Sequence, residues 1–349
     1  MRSIYIAGRE IGANCPPFII AEMSGNHNGE KKKALDLIEA ASKAGADAVK
    51  LQTYTADTIT INSQSNEFKI KEGLWKGRTL YELYDEAHTP WEWHEDLFDK
   101  AKELGIILFS SPFDFTAVDF LENLATPAYK IASFELLDLP LVHKVAKTGK
   151  PMIMSTGMAS RQEIKEALYT ASSAELREII LLHCVSGYPT PTSEINLKMI
   201  RELSEEFNVL VGLSDHTMGT IASTAAVGLG ACVIEKHFTL SRSDGGPDAA
   251  FSLEPSELRE LVISCRTAWE SLGDGGFKRA ESEKVNLMFR RSLYVVEDIA
   301  MGEKFTEKNI RSIRPGYGLA PKNLPNILGE KARFFIKKGT ALNENHIIK

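Results

Sequence analysis

The sequence predicts an α/β protein, a (β/α)8 TIM barrel followed by a small β-rich domain, and three observations carry that expectation. Eight short apolar runs recur through the first three-quarters of the chain, amphipathic helix-like stretches separate them, and nearly every run ends in a reactive polar group. The last two runs close on similar phrases, Gly-Leu-Ser-Asp-His-Thr at 212–217 and Ile-Glu-Lys-His-Phe-Thr at 234–239, each finishing near a histidine. Alternation of strand and helix over about 250 residues is the span a closed parallel barrel needs.

Taken in order, runs bounded by turn signals fall at 18–23, 48–54, 106–111, 128–134, 152–158, 179–186, 210–216 and 232–237. Helical periodicity appears at 31–44, 91–104 and 255–272. Before the second of these, Thr89, Pro90 and Glu92 stand at the positions of a capping box, with threonine as N-cap and proline at the first helical position. The stretch 55–88 is long for a βα connection and carries Phe68, Trp75, Arg78, Tyr81 and Tyr84. It reads either as a lid over the barrel mouth or as an excursion packed on the barrel side. Glycines and mixed charge at 273–286 mark a linker, giving a barrel domain at 1–272 and a second domain at 287–349. Within that second domain, Ile299, Gly302, Phe305, Asn309 and Ile310 are echoed at the same spacing by Ile336, Gly339, Leu342, His346 and Ile347. The echo predicts a two-fold-like β-rich module, too small to bury much core alone.

The polar residues at the run ends are Glu22, Lys50 with Gln52, Ser111, Lys130 with Ser133, Ser155 with Thr156, His183 with Ser186, Ser214 with His216, and His237. In a barrel these share one mouth, where such folds do chemistry. Any one of them alone is more often a structural group; their joint placement points to a site. Lys50 and Lys130 with the hydroxyls of Ser111, Ser133 and Ser214 suit a small phosphorylated carboxylate. His216 and His237 supply half of a metal shell, so an ion there keeps open positions, and manganese, cobalt or magnesium suit it better than a structural zinc. Such an ion polarises a carbonyl oxygen, which makes an aldehyde the expected guest. Asp215 and Glu235 are expected to support the histidines. The competing reading has two structural histidines bonded across adjacent strands.

The 349 residues carry a net charge of −6 and no basic patch with interleaved aromatics, so nucleic acid is not an expected partner. No Gly-rich phosphate loop or dinucleotide fingerprint occurs. Residues 1–10 lack a signal-like apolar core, and no uncharged run is long enough to cross a bilayer, so a cytoplasmic, non-membrane protein is expected. Cys15, Cys184, Cys232 and Cys265 are scattered without metal-binding spacing and read as reduced, mostly buried thiols.

Further wording resembles the sialic acid synthases. The matching stretches are Ala21-Glu22 with Asn26-His27-Asn28-Gly29, Lys50-Leu51-Gln52-Thr53, Ser111-Pro112-Phe113 and Tyr129-Lys130-Ile131-Ala132-Ser133. They continue through Ser155-Thr156-Gly157-Met158, His183-Cys184, Tyr188-Pro189-Thr190-Pro191, 212–217, Lys236-His237-Phe238-Thr239 and Gly246-Pro247-Asp248, with Arg314-Pro315-Gly316 in a tail similar to the family's antifreeze-like (SAF-type) domain.

The resemblance implies an enzyme that condenses phosphoenolpyruvate with an amino-sugar aldehyde, releasing phosphate by C–O cleavage. It implies that His216 and His237 hold a divalent metal, that Lys50, Ser111, Lys130, Ser133 and Ser214 bind phosphoenolpyruvate, and that Glu22 manages protons. Gln52, Ser186, Tyr188, Asp248 and Arg314 then meet the sugar, with Arg314 reaching in from a partner in a domain-swapped homodimer. Ser186 stands where the neuraminate branch usually has asparagine. That difference, with the wording at 21–29, 75–84, 89–94 and 110–120, favours a 2,4-diacetamido-2,4,6-trideoxy hexose as acceptor. Alternatives are a neuraminate or legionaminate synthase, a metal-dependent pyruvate aldolase, and a non-catalytic carbohydrate- or ice-binding protein.

Overall fold

The structure is a computed structural model that describes residues 3–348. Met1, Arg2 and Lys349, which fall within the expected domain spans, lie outside the described residues. The chain divides into two compact units, Met1–Gly273 and Asp274–Lys349.

In the first unit a hairpin, β1 (Ile4–Ile6) and β2 (Arg9–Ile11), precedes eight parallel strands: β3 (Phe18–Glu22), β4 (Ala48–Thr53), β5 (Ile107–Pro112), β6 (Tyr129–Ile131), β7 (Met152–Ser155), β8 (Ile179–Cys184), β9 (Leu210–Asp215) and β10 (Val233–His237). They form a closed barrel in which β10 returns to β3, setting His237 opposite Glu22. The helices are α1 (Lys31–Ala44), α2 (Ala56–Ile59), α3 (Leu80–Ala87), α4 (His94–Leu104), α5 (Phe115–Asn123), α6 (Leu139–Ala146), α7 (Arg161–Ser173), α8 (Met199–Phe207), α9 (Ile221–Gly228) and α10 (Pro255–Leu272). The expected eight-stranded barrel is therefore the observed one.

Side chains alternate across each strand, and the two faces pack into separate apolar layers. Ile4, Ile6 and Ile11 of the hairpin join Phe18, Ile20, Phe109, Ile153, Ile180 and Val233 inside the barrel, plugging its N-terminal end. Ile19, Leu51, Leu181, Leu213 and Ile234 face outward onto the helices. Alternation then decides where polar groups go. Glu235 and His237, two and four residues beyond Val233, face the interior above the plug, while Lys236 shares the outer face with Ile234. Gly212, on an inward position of β9, leaves no room for more: a β-carbon there would lie 2.3 Å from the Val233 carbonyl oxygen.

Three local expectations change. The runs at 128–134 and 152–158 stay extended only to Ile131 and Ser155. Glu135 N–H turns back to the Ala132 carbonyl, and Met158 adopts a positive φ of 62°. Thr89 does not cap a helix. It is buried with its hydroxyl against His27 Nε2 at 3.3 Å, the chain makes a 3-10 turn at Trp91–Trp93, and α4 begins only at His94. The true capping box of that region joins Thr79 to Glu82 at the start of α3.

The second unit holds β11 (Ser292–Val295), β12 (Ile310–Ile313), α11 (Leu324–Ile327), β13 (Lys331–Ala332) and β14 (Ile347–Ile348). Its pseudo-two-fold passes through Ile299 and Ile336, whose N–H and C=O groups exchange hydrogen bonds at 2.9 Å in both directions. Around that centre the bonds repeat in register: Gly302 N–H to Ala332 O matches Gly339 N–H to Val295 O, and Val296 N–H to Asn309 O matches Arg333 N–H to His346 O. Phe305 and Leu342 anchor the two halves in one core with Ile310 and Ile347.

Candidate active site

At the centre of the mouth, β3, β4, β6 and β10 aim four charged side chains at one another. Lys50 Nζ lies 3.0 Å from Glu22 Oε2 and 3.2 Å from Glu235 Oε2, and Lys130 Nζ lies 2.6 Å from Glu235 Oε1. Ser214 donates to Glu235 Oε1 at 2.9 Å, and Gln52 Nε2 donates to Glu22 Oε1 at 2.8 Å. All four charges are buried. Burial pushes the Glu22 carboxyl up to about 7, against the pull of Lys50. Burial would raise Glu235 too, but Lys130 and Lys50 hold it well below the usual carboxylate range. Burial lowers Lys130 to about 8 in spite of Glu235, whereas Lys50, also buried, is held above its usual range by Glu22 and Glu235 on its two sides.

Around these ammonium groups lie hydroxyls with nothing to bind. The oxygens of Ser111 and Ser155 are buried without a hydrogen-bond partner. Ser133 accepts from the Gly157 N–H at 3.1 Å, which leaves its own proton free to donate. Gly157 keeps this pocket open: a β-carbon there would lie 2.3 Å from Ser186 Oγ and 2.7 Å from Ser133 Oγ. Unsatisfied buried donors beside two ammonium groups are the chemistry of an anion site.

Next to it stand the histidines, with ring centroids 5.4 Å apart. His216 Nδ1 meets the Val185 carbonyl at 3.0 Å; a carbonyl only accepts, so Nδ1 carries a proton and Nε2 is the nitrogen left to bind a ligand. His237 Nδ1 is buried with no hydrogen-bond partner, and burial, with His216 and Lys50 nearby, holds the ring neutral. Among the described residues no group of three or more His, Cys, Asp or Glu forms a metal cage. Burial opposes charge on His216, but Cys184 and the Val185 carbonyl raise it above the usual imidazole range, so an ion must displace a proton there; the two imidazoles then fit an ion whose remaining positions belong to water or substrate.

Above the histidines opens a cavity of about 500 Å³ lined by Gln52, Tyr54, Trp75, Tyr84, Phe113, Glu135, Tyr188, His237 and Asp248. The Tyr188 ring lies tilted against His216, with centroids 4.4 Å apart. Asp248 accepts from Ser24 Oγ at 2.5 Å, and Ser24 Oγ also accepts from Gln52 at 3.1 Å, which chains Asp248 to Glu22. The stretch 55–88 walls this cavity rather than the barrel side: Ile59, Ile70, Trp75, Leu80, Leu83 and Tyr84 all face it. Trp75 fastens the wall, with Nε1 donating to the Pro247 carbonyl at 2.8 Å and its ring 5.7 Å from Tyr188. A larger hollow of about 740 Å³ between α7 and α8 is lined by Arg161, Glu202, Glu205 and Glu206. It lies away from the strand ends.

Of the residues expected at the mouth, Glu22, Lys50, Gln52, Ser111, Lys130, Ser133, Ser186, Tyr188, Ser214, His216, His237 and Asp248 are brought together. Arg314 belongs to the second unit, at the end of β12. His183 is not in the mouth. It faces outward and its Nε2 meets the Ile195 carbonyl at 2.6 Å, while the interior position falls to Cys184, 3.9 Å from His216 Nδ1. Neither Asp215 nor Glu235 bonds a histidine ring: Asp215 pairs with Lys236 behind the strands and Glu235 with the two lysines. Three contributors escaped the sequence reading of the site. Glu135, raised to about 7 by burial with an orphaned Oε2, Cys184, and Trp75 all sit where a strand phase or a loop path had to be known first.

The NeuB family profile matches residues 37–277 and the SAF domain profile residues 290–348. The chain is 48% identical over 328 residues to a pseudaminic acid synthase of Campylobacter jejuni, covering 94% of this chain and 96% of that one, and 43% identical to the pseudaminic acid synthase of Helicobacter pylori, covering 95% and 98%. The crystal structure of N-acetylneuraminic acid synthetase from Leptospira borgpetersenii superposes with a TM-score of 0.74 at 32% identity, covering 82% of this chain and 95% of that one. The fold and the site define a closed parallel barrel with a buried cluster of lysines, carboxylates and hydroxyls at its mouth. The chain belongs to the NeuB family, with a SAF domain following the barrel in the sequence.

Replacing Trp75 by alanine is expected to speed tryptic cleavage at Lys71 and Lys76 several-fold, because the tip then keeps only its backbone pairing between Ile70 and Arg78. An unchanged cleavage rate would show that the indole does not hold the wall.

Proposed function

We propose that the chain is a pseudaminic acid synthase, joining phosphoenolpyruvate to 2,4-diacetamido-2,4,6-trideoxy-L-altrose to give pseudaminic acid and phosphate. The observation that carries the reaction type is the pair of buried ammonium groups and unpartnered hydroxyls set beside two histidines. The acceptor rests on the two relatives of that name at 48% and 43% identity, against 32% for the N-acetylneuraminic acid synthetase.

In this reading Lys50 and Lys130 bind the carboxylate and phosphate of phosphoenolpyruvate, with Ser111 and Ser133 donating to its oxygens. Ser214 acts one step back, holding Glu235 beneath the two lysines. His216 and His237 would hold a manganese, cobalt or magnesium ion, which when bound would supply Lewis acidity toward the acceptor's aldehyde. Tyr188, Gln52, Ser186, Asp248 and the cavity wall orient the open-chain sugar so that its C1 faces C3 of phosphoenolpyruvate. The C3–C1 bond forms from the enol π electrons, and water adds to the positive C2. Glu22, whose carboxylate and protonated forms are both populated near neutrality, accepts the proton of that water. The aldehyde π pair has meanwhile moved onto its oxygen; the C2–O bond then breaks, the leaving phosphate takes the remaining hydroxyl proton, the proton held by Glu22 passes to the alkoxide, and the keto acid remains.

Phe134, Met158, Met218 and Ile221 leave an exposed apolar rim on the loops beyond the strands. It supports the reading that a second copy of the chain covers this edge in a homodimer, with the second copy's Arg314 facing the acceptor. No helix among the described residues is long and apolar enough to cross a membrane. Four free cysteines suit a reducing compartment, and we place the reaction in the cytoplasm.

Phosphate release from phosphoenolpyruvate with manganese tests the proposal. Turnover is expected with the diacetamido-trideoxy altrose and not with N-acetylmannosamine or the legionaminate precursor, and His237→Ala should lose it while staying folded. Release with one of the other sugars alone would move the chain to a sister specificity; release with none would overturn the synthase reading.

The pH profile follows from the two shifted groups. Below about 7 Glu22 holds a proton and cannot take another, so kcat/KM should rise with pH through that region. Above about 8 Lys130 loses its charge and its hold on phosphate, so kcat/KM for phosphoenolpyruvate should fall. Bound phosphate keeps Lys130 charged, so the falling limb should be absent from kcat. Glu22→Gln should remove the rising limb; a rising limb that survives would free Glu22 from the proton transfer.

A further inference from the structure

Behind the site, on the face of β9 and β10 that packs against the helices, lies an ion pair with no part in the chemistry so far. Lys236 Nζ and Asp215 Oδ2 are 2.9 Å apart, and both side chains are completely buried. The layer between strands and helices in which they lie is mostly apolar, with Leu213 and Ile234 on the same two strands, while Ser223 and Thr217 bond to the pair and Glu257 acts on Lys236 from further away. Burying two charges in such a layer costs desolvation, and well-packed apolar residues in place of a buried pair are often as stable or more so. The pair's stability contribution therefore does not account for its presence.

Its connections do. Asp215 immediately precedes His216, Lys236 immediately precedes His237, and the two are direct partners in the β9–β10 ladder. Asp215 Oδ1 accepts from the N–H of Thr217 at 2.8 Å, and Lys236 Nζ donates to the Thr217 carbonyl at 2.5 Å. Lys236 also approaches the Asp215 carbonyl at 3.5 Å, and Ser223 of α9 donates to Asp215 Oδ2 at 2.6 Å. The peptide groups on both sides of His216 are thus gripped from behind, and the lysine doing so is the chain neighbour of His237.

We propose that Asp215 and Lys236 are positioning residues for the two imidazoles, fixing the turn that carries His216 relative to the strand that carries His237. The proposal rests on the reading of those histidines as metal ligands. Partners one step behind a ligand set its aim, and losing them commonly weakens metal binding by about 10–100-fold.

The test is calorimetric titration of manganese alone into the full chain, with thermal unfolding measured in parallel. The double variant Asp215→Leu/Lys236→Met removes both charges at similar volume. It should unfold within a few degrees of the wild type yet bind manganese at least tenfold more weakly. Asp215→Asn keeps the shape of the hub and weakens its hold on Lys236 and Ser223, so it should lose several-fold in affinity; it carries the comparison if the double variant does not fold. A folded variant that binds manganese as tightly as the wild type overturns the positioning role and leaves the metal reading intact. A wild type that takes up no manganese overturns the metal reading, and this proposal with it.

Discussion

Two carboxylates and two ammonium groups, Glu22, Glu235, Lys50 and Lys130, share the dry interior of the barrel mouth, and the rest of the site is arranged around keeping them there. Each charge taken alone would be expensive at that depth, and the set is tolerable because every member has an opposite partner within 3.2 Å. Glu235 is the hub. It accepts from both lysines and from Ser214, which holds the ammonium groups in place before any substrate arrives. An anion that reaches the mouth meets positive charge already aimed, with unpartnered serine hydroxyls beside it, so little reorganisation remains when it binds.

The same alternation that puts these groups inside also builds their support outside. On β10, Val233, Glu235 and His237 face inward while Ile234 and Lys236 face the helices, so one five-residue strand contributes to the apolar plug, the charge hub, the imidazole pair and the brace behind it. Beyond the strands, the acceptor cavity is formed by loops that tie to each other. Asn28 donates to the carbonyls of Asp244 and Gly245, and Trp75 donates to that of Pro247, which together hold the segment bearing Asp248 against the mouth.

Much of this was legible in the sequence because parallel barrel strands are short apolar runs with a polar residue at the end, and that grammar survives without coordinates. The strand phase was less legible. The run Ile179 to Cys184 is apolar almost throughout, so nothing in it says whether His183 or Cys184 faces inward, and the barrel's closure decides for Cys184. Asp215 and Glu235 were placed beside the histidines by adjacency in the chain, yet neighbours on a strand point to opposite faces. Thr89 had the spacing of a cap and lost that role to a tertiary partner, His27, that no local pattern reveals. Trp75 and Glu135 lie on connections whose paths depend on the finished barrel.

The measurement closest to the central claim is calorimetric titration of phosphoenolpyruvate into metal-free protein without acceptor, comparing the wild type with Lys130→Met. The four-charge arrangement as a preformed anion cradle predicts clear binding by the wild type and a loss of about tenfold or more when one of its two ammonium groups is gone. Equal affinity in the two proteins would contradict it, and would mean that the buried lysines serve the barrel rather than the substrate.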